Sequence, residues 1–584
     1  MGQESKGIGK QIGIWTGLGL IPGWSGSYWG VGGVYGPGRT GWGPEHPIPE
    51  DIKANYSTRG VFLNYVLGRR QVGPHVCWIG DRKVEEIVLQ EGEAGGSGGD
   101  PVPAELGLLY TESAWHVLAM GPGHKIHKIY ADGEVIFEGP ITHKTHPSGT
   151  EVDCGEQGSF KVYWGEIDQP INSYLGSRLH KDRTINSRWP FAFYVVWTKF
   201  MGNRPVWPNI EYDIEVRPYN TGLTSTKSWI NGLWKTTANS FAIHSTTSGP
   251  PGLAAIVINK NKKKYFKQGR LLTITGNTAD GIYEILQTTY HKPTDKTTVI
   301  LNDSLIGANS AGNVVQMAEV DGNGANPAHI LYHMLFNKAP HGIGLKADLF
   351  NLQSFEKYGE LADAEGLASS ILAVNGTEIR TMIEAFLTEH SLVVAQVGDL
   401  FEIVPVRTPN SVDIPVFNDD VILDPLPEEQ GDLDIDIHTT RVIFEYSNMN
   451  RNGRITPLRR DNDAVAKRLN YKKSSKFSVQ TAVHHLVVSR IADLVTPSVF
   501  NPLRAIRLFG NRGTREIFPG RVFTIPQNSR LLRCVSVKPA VLTSKVEINA
   551  VVDVYGLPKL DFILDEEADI APVPPGDDAE EDIQ

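Results

Sequence analysis

Residues 112–139, ESAWHVLAMGPGHKIHKIYADGEVIFEG, can be interpreted either as a metal site or as a β-hairpin, and the two interpretations imply different classes of protein. Apolar residues flank the Asp-Gly pair at 132–133, which is the strongest short signal for a tight hairpin turn. Residues three apart on a strand point to opposite faces, so His124 and His127 cannot easily bind one metal ion, and His116 lies beyond the Gly-Pro-Gly bend. The stretch therefore predicts a hairpin in a mainly β protein.

The composition is that of a large, turn-rich protein. A chain of 584 residues is long enough for two to five domains, and 59 glycines with 36 prolines favour turns and short strands over long helices. A net charge of −10 argues against sequence-specific nucleic-acid binding, which normally needs a basic face. The longest apolar run, FAFYVVW (191–197), is too short for a membrane helix, and the N-terminus lacks a signal peptide. We therefore expect a protein made in the cytoplasm.

Local patterns divide the chain into six regions. Strand-like segments rich in Val, Ile and aromatic residues dominate three of them, helical periodicity marks a fourth, and the two ends have biased compositions. The predicted regions are a Gly/Trp-rich N-terminal arm (1–59), a first β domain (60–220), an inserted small β-barrel module (221–325), an α+β module (326–410), a second β domain (411–560) and an acidic C-terminal tail (561–584).

Three helices are predicted from caps and apolar spacing. Asn326 suits an N-cap and Pro327 the first position of a helix that continues through HILYHMLF. A second helix, with an apolar face formed by Ile379, Met382, Ile383, Phe386 and Leu387, leads into two strands joined by a turn at 398–399. The third covers SVQTAVHHLVVSRIADLV (478–495), whose Val483, Val487, Ile491 and Leu494 share one face.

Both ends of the chain are predicted to need partners. Residues 13–44 carry Trp15, Trp24, Trp29 and Trp42 among twelve glycines, too little side-chain volume for a core of their own. The GVGGVYG sequence in this arm is followed by more Gly and Pro rather than by a helix, so it does not predict a nucleotide site. The tail contains ten acidic residues and no basic ones, so it should become ordered only on a partner, either one bearing Lys or Arg or one with a groove that takes Phe562, Ile563 and Leu564.

The cysteines and acidic pairs do not have the spacing that catalysis or metal binding requires. Cys77, Cys154 and Cys534 are odd in number and far apart, so neither a disulfide framework nor a cysteine zinc site is expected. Two acid pairs are candidate catalytic carboxylates. Glu166 and Asp168 could line a glycosidase cleft, but such a pair is equally typical of an exposed strand end. Glu378 and Glu384 belong to a helix whose apolar face is already complete, so both should be solvated.

Two other groups also have simpler interpretations. His484 and His485 are neighbours on a helix and point about 100° apart, which is unfavourable for shared metal binding. The run NKNKKKYFKQGR (259–270) predicts a hydrated loop rather than a phosphate site, with Lys262, Lys263 and Lys264 in water. We therefore expect no catalytic residue, no cofactor and no metal site.

Four stretches, in order along the chain, resemble one protein family. NYVLGRRQVGPHVCWIGD (64–81) resembles its early strand pair, and LAMGPGHKIHKIYADGEVIFEG (118–139) its Gly-Pro-x-x-x-Ile segment with the Asp-Gly turn. NPAHILYHMLFNKAPHGIGL (326–345) is similar to its Asn-Pro helix and Gly-x-Gly-Leu turn, and PGRVFTI through VVDVYG (519–556) to its closing strands. The family is that of the tail-tip hub proteins of long-tailed bacteriophages, the lambda-like tip attachment proteins.

The resemblance implies a structural virion protein at the distal end of the tail. Each chain would carry two tube-type β hub domains, 60–220 and 411–560, so that a homotrimer forms a pseudo-sixfold ring beneath the sixfold tail. Implied partners are the distal tail protein ring, the C-terminal end of the tape-measure protein and other tail-tip proteins or a central tip fibre. Phage DNA would pass through during genome ejection without sequence-specific binding. A carbohydrate-active or carbohydrate-binding β protein, suggested by 12 Trp and 19 Tyr, is the alternative.

Overall fold

The computed structural model shows a mainly β protein. The predicted arm 1–59 and tail 561–584 lie outside the described residues. The structure describes residues 63–90, 105–178, 188–202, 207–232, 234–248, 253–266, 271–276, 280–302, 312–319, 323–338, 341–374, 378–409, 414–418, 420–425, 439–449, 454–462, 466, 473–501, 505–526, 528–539 and 545–555.

Strands far outnumber helices in this part of the chain, as its content of β-branched and aromatic residues predicts. The strands are β1 (Tyr65–Val72), β2 (His75–Gln90), β3 (Glu105–Met120), β4 (Lys125–Ala131), β5 (Glu134–Thr142), β6 (Glu151–Asp153), β7 (Gly158–Tyr163), β8 (Ala192–Gly202), β9 (Ile210–Val216), β10 (Trp229–Ile230), β11 (Trp234–Ser248), β12 (Ala254–Asn259), β13 (Leu271–Thr275), β14 (Gly281–His291), β15 (Lys296–Leu301), β16 (Asn313–Glu319), β17 (Gly324–Ala325), β18 (Ile371–Ala373), β19 (Leu392–Val397), β20 (Leu400–Pro405), β21 (Ile422–Pro425), β22 (Arg441–Asn448), β23 (Arg454–Asp461), β24 (Ser474–Val479), β25 (Ala505–Gly510), β26 (Val522–Ile525), β27 (Asn528–Pro539) and β28 (Val546–Val552). The helices are α1 (Ser173–Arg178), α2 (Pro327–Phe336), α3 (Leu352–Glu365), α4 (Ile379–Glu389) and α5 (His485–Phe500).

The first two sheets contain the hairpin that the opening stretch predicts. Their strand orders are β18-β1-β9-β4-β5 and β2-β3-β8-β7-β6. Strands β4 and β5 pair directly, and the turn between them has positive φ at both Asp132 (51°) and Gly133 (85°), as a two-residue type I′ turn requires. The hairpin prediction is confirmed.

The two sheets share one aromatic core and approach closely at a pair of glycines. Trp164, Trp197 and Tyr212 are fully buried in or beside this core. A Cβ on Gly121 would lie 2.7 Å from the Cα of Gly165, so the two backbones can cross there only without side chains.

Residues 234–319 contain a closed six-stranded barrel of order β11-β12-β15-β14-β13-β16. Its interior is a separate apolar cluster that includes Ile256, Leu272, Ile285 and Val299. Because the sheet closes on itself, the barrel has no open edge.

The middle of the chain combines helices with short strands. Asn326 caps α2 by accepting a hydrogen bond from the Ala328 amide, and the predicted apolar face of α4 is buried, so both helix predictions are confirmed. The turn at 398–399 joins β19 to β20 as predicted. Helix α3 was not predicted; it is capped by Asn351 and ends at Gly366, whose φ is +65°.

Two sheets in the C-terminal region belong to different cores. The order β23-β22-β24 includes the parallel pair β22–β24, and this sheet packs with α5 into the large core. The order β21-β25-β28-β27-β26 has its own apolar cluster. The predicted start of the third helix at 478 is wrong: α5 begins at His485, because Ser478 and Val479 pair with β22 as the end of β24.

Candidate functional site: exposed sheet edges and a buried ionic junction

The three histidines of the opening stretch lie in three separate environments. His116 is fully buried, with Nδ1 2.8 Å from the Tyr212 hydroxyl, whereas His124 is exposed. A bulge between Ile126 and Lys128 turns His127 inward, where its Nε2 lies 3.1 Å from a Glu215 oxygen. Burial lowers the pKa of His116 to about 3, and burial with nearby Arg69 lowers that of His127 to about 4.

His116 and His127 are therefore neutral at neutral pH, and each is held by its own hydrogen bond. In the described part of the chain, no group of three or more His, Cys, Asp or Glu side chains could hold a metal ion. The same residues include no helix with the length and apolar character needed to cross a bilayer.

The Glu166 and Asp168 pair lies in a loop after β7 rather than on a strand. Glu166 accepts a hydrogen bond from the Ser148 hydroxyl at 3.0 Å and contacts His143 Nε2 at 2.7 Å, while Asp168 is exposed. The carboxylate thus sits between the hydroxyl and the imidazole, so His143 is not placed to take a proton from Ser148. This group lacks the connectivity of a nucleophile and its base.

The second acidic pair is structural. Glu378 precedes α4, Glu384 pairs with Arg380 one turn away at 2.8 Å, and both side chains are partly exposed to solvent. Glu378 accepts a long hydrogen bond of 3.4 Å from the Thr381 hydroxyl of α4, and no described contact joins either carboxylate to a histidine or a cysteine.

A serine–histidine contact also occurs, but it is sealed from water. Ser369 Oγ lies 2.8 Å from His390 Nε2, and both residues are fully buried. Burial also lowers the pKa of His390 to about 3. A nucleophile must be reachable by its substrate, so this pair serves packing between β18 and the end of α4.

The three cysteines lie in different parts of the fold. Cys77 is half-buried, and Cys154 and Cys534 are buried. Burial raises the pKa of Cys154 to about 12 and raises that of Cys534 as well, so both remain protonated and unreactive at neutral pH.

The most charged interior region is an ionic junction beginning on β1. Arg69 donates to Asp213 on β9 through Nε at 3.0 Å and Nη2 at 2.7 Å, and both side chains are buried. Burial alone would raise the pKa of Asp213, but Arg69 and His127 outweigh it and lower the pKa below its usual value. Next to it on β9, Glu215 is paired with His127 and with Arg217.

The junction continues from β1 into the C-terminal half. Arg70 donates to the Gln480 carbonyl, while Glu389, at the end of α4, accepts from the Gln480 amide at 2.8 Å and the Thr481 amide at 2.9 Å. Burial raises the pKa of Glu389 to about 7 despite these hydrogen bonds. These contacts connect the first sheet to the α4–β24–α5 region. We call the residues that make them, 69, 70, 213, 389 and 480–481, the ionic junction.

His484 lies beside the ionic junction but not within a shared metal site. It precedes α5, is buried, and its Nε2 has no hydrogen-bond partner in the described structure, whereas half-buried His485 is the first helical residue, with Nδ1 3.2 Å from the Tyr446 hydroxyl. Burial, with Arg69 nearby, lowers the pKa of His484 to about 3. The two imidazoles therefore have separate surroundings, as their sequence spacing predicts.

The outer strands of the open sheets form the main candidate interaction surfaces. Each terminal strand β2, β5, β21 and β23 has one side without a strand partner in the described structure. Each also carries an exposed aliphatic side chain: Val84 (51% exposed), Val135 (48%), Leu423 (45%) and Ile455 (76%). A terminal strand with exposed apolar side chains favours pairing with a strand of another chain. We call these four strands the open edges.

No family model matches the sequence, and no curated protein matches it. Among solved structures, it is similar to a chain from the virion of a native gene transfer agent particle, with 13% identity, a TM-score of 0.47 and 96% of each chain covered. It is also similar to a tail protein from Neisseria meningitidis MC58 (7% identity, TM-score 0.25, 56% of this chain and 99% of that one) and to the 43 kDa tail protein of prophage MuSo2 from Shewanella oneidensis (9%, 0.24, 57% and 100%). At these identities and TM-scores, function has to be argued from the residues themselves.

Proposed function

We propose that this chain is the structural hub of a bacteriophage tail tip, or baseplate. Three copies form a homotrimer at the distal end of the tail, close the tube, adapt the sixfold tail to a threefold tip and form the conduit for genome ejection into the host. The ring of distal tail protein, the C-terminal end of the tape-measure protein and other tip proteins or a tip fibre are its partners. The role is structural and needs no catalytic residue, cofactor or metal.

The observation that carries this proposal is the set of open edges. A chain that acts alone gains nothing from several terminal strands with exposed aliphatic side chains, because such edges promote aggregation. A closed ring of subunits removes them by pairing each edge with a neighbour. By contrast, the described Ser369–His390 pair is buried away from substrate, and the Ser148–Glu166–His143 group lacks the connectivity of a nucleophile and its base.

Three of the four stretches that resemble tail-tip hubs also contain positions that the fold constrains. Gly68 has a φ of +99°, and a Cβ there would lie 2.5 Å from the Ser369 carbonyl oxygen. The backbone of Gly121 passes close to that of Gly165. Asn326 caps α2 and also donates a hydrogen bond to the Gly359 carbonyl at 2.9 Å. The resemblance therefore lies in residues that this architecture needs, which supports using it for the proposal.

Mass photometry of the purified chain, alone and with the distal tail protein, tests the proposal. A hub gives a species of about three times the chain mass of 64.3 kDa. Leu423→Glu with Ile455→Glu should shift the population toward monomer, because a buried carboxylate opposes edge pairing. Ile282→Glu is the matched control, since Ile282 is 60% exposed but lies on the closed barrel. A chain that stays monomeric under both conditions contradicts the proposal.

A further inference from the structure

Several lysines lie together at one end of the barrel. Strand β12 ends and β15 begins at this end, where Asn259 pairs with Lys296, and β14 reaches the same level at His291. The loop after β12 carries Lys260, Lys262, Lys263 and Lys264, the loop before β15 carries Lys292, and Lys296 is the first residue of β15. These six lysines are named the cationic end of the barrel.

The two loops are fixed to each other through backbone contacts. The Lys260 amide donates to the Asp295 carbonyl at 2.7 Å, and the Lys262 amide donates to the Thr297 hydroxyl at 2.8 Å. Thr297 is fully buried and its hydroxyl donates back to the Lys260 carbonyl at 2.8 Å. The lysines therefore project from a fixed platform rather than from independent loops.

Aromatic rings position two of the ammonium groups. Lys262 Nζ lies 4.7 Å from the centre of the Phe241 ring, and Lys264 Nζ lies 4.9 Å from that of Tyr265. Such contacts hold a charge near the surface without neutralising it. Lys263 and Lys264 are exposed as predicted, whereas Lys262 is half-buried against the rings.

Carboxylates are scarce around this platform. Residues 253–266 contain no acid, residues 291–297 contain only Asp295, and Asp295 accepts a hydrogen bond from Tyr290. None of the six lysines forms an ion pair within the described part of the chain. In a chain of net charge −10, this local excess of positive charge calls for an anionic partner.

The chain itself contains a segment of the opposite charge. Residues 561–584 have ten acidic and no basic side chains, together with the apolar run Phe562, Ile563 and Leu564. A tethered segment is present at a high effective concentration, so it competes well with free polyanions. Residues 556–584 number 29, and an extended chain of that length reaches on the order of 90 Å beyond Tyr555, enough for a barrel of its own or a neighbouring copy.

We propose that the cationic end of the barrel is the docking site for the acidic segment 561–584. The six lysines bind its carboxylates, and Phe241 and Tyr265 offer apolar surface beside them. This contact masks the cationic end from other polyanions, including the phosphate backbone of nucleic acid. The proposal is independent of the hub function, because it requires only this chain.

Carbodiimide cross-linking of the full-length chain, followed by peptide mass spectrometry, locates the tail. It joins carboxylates to contacting lysines, so tail peptides should be coupled to Lys260, Lys262–Lys264, Lys292 or Lys296 at low salt. Coupling mainly to lysines outside the barrel overturns the proposal.

Cleavage of the tail by a glutamate-specific protease gives a readout that does not depend on the lysines as reactants. At low salt, Lys262→Glu/Lys263→Glu/Lys264→Glu should raise the rate of tail cleavage about tenfold. High salt should raise the cleavage rate of the unaltered chain in the same way, because it screens the contact. A free tail peptide, cleaved under each condition, corrects for the effect of salt on the protease. Lys346→Glu/Lys357→Glu/Lys545→Glu changes the net charge equally at exposed sites elsewhere and should leave the rate unchanged. The triple arginine variant at 262–264 keeps the charge and should retain protection.

Equal cleavage of the unaltered chain and the triple glutamate variant overturns the proposal, provided that circular dichroism shows both folded. Binding of a short DNA duplex shows whether nucleic acid, rather than the acidic segment, is the occupant of the cationic end. If the triple glutamate variant loses DNA binding while tail cleavage is unaffected, the cationic end serves a phosphodiester polymer instead.

Discussion

Asp213→Asn tests the ionic junction by removing one charge and almost no volume. Asp213 is 1% exposed and binds Arg69 through both carboxylate oxygens at 2.7 and 3.0 Å. Asparagine can accept only one of these hydrogen bonds and presents an amide N–H₂ to the guanidinium in place of the other. The substitution therefore leaves a buried cation without its counter-charge.

Removing one partner of a buried ion pair costs about 3–5 kcal/mol, because the remaining charge stays desolvated. Asp461→Asn provides the matched control. Asp461 also binds arginines, accepting from Arg441 Nε at 2.8 Å, but its side chain is 26% exposed. Its loss should cost less than about 1 kcal/mol, the usual value for a solvated pair.

Hydrogen exchange measured by mass spectrometry is the appropriate assay. The chain has several apolar clusters, including separate ones in the barrel and in the last sheet, so a whole-chain melt does not report one transition. Peptides covering β1 and β9 report the local opening free energy. Equal effects of the two substitutions, or a change below about 1 kcal/mol for Asp213→Asn, would refute the importance assigned to the ionic junction.

Two further substitutions probe the same region. The pKa of Glu389 is raised from 4.5 to about 7, so its stabilising contribution is fully present below pH 4.5 and is lost as the pH rises through about 7; this amounts to about 3 kcal/mol. Hydrogen exchange of the α4 amides, corrected for intrinsic rates, should show this loss of stability as the pH rises. Glu389→Gln should remove the pH dependence of the opening free energy. If the variant keeps the same pH dependence, Glu389 is not its source. Gly68→Ala should open β1 from β18 by about 2 kcal/mol or more, because of its positive φ and the 2.5 Å approach to Ser369. At Gly133, also at positive φ but with nothing within 4 Å, the same change should cost about 1 kcal/mol in exchange of the β4–β5 amides; equal costs would contradict the close-approach argument.

Local chemistry made several elements predictable from the sequence. The Asp-Gly turn at 132–133 fixes the β4–β5 hairpin, and Asn326-Pro327 fixes the start of α2, because each depends on neighbouring residues alone. Helix α3 gives a weak sequence signal, because polar and charged residues separate its few buried apolar side chains, Phe355, Tyr358 and Ala362. The start of α5 was misplaced because Ser478 and Val479 pair with β22, about thirty residues earlier.

The ionic junction could not be predicted for a different reason. Arg70 and Glu389 are 319 residues apart, and no local pattern connects them. A usable signal was present: two adjacent arginines in the middle of YVLGRRQV are unusual on an apolar strand, and buried arginines need carboxylate or carbonyl partners. That signal predicts a buried polar contact, but only the fold identifies the partner.

A cryo-electron microscopy reconstruction of the intact tail tip tests the central claim most directly. The hub proposal predicts three copies of this chain around the tail axis at the distal end of the tube, with open edges β2, β5, β21 and β23 covered by neighbouring chains. Six copies repeated along the tail shaft, or a single copy away from the axis, would contradict it.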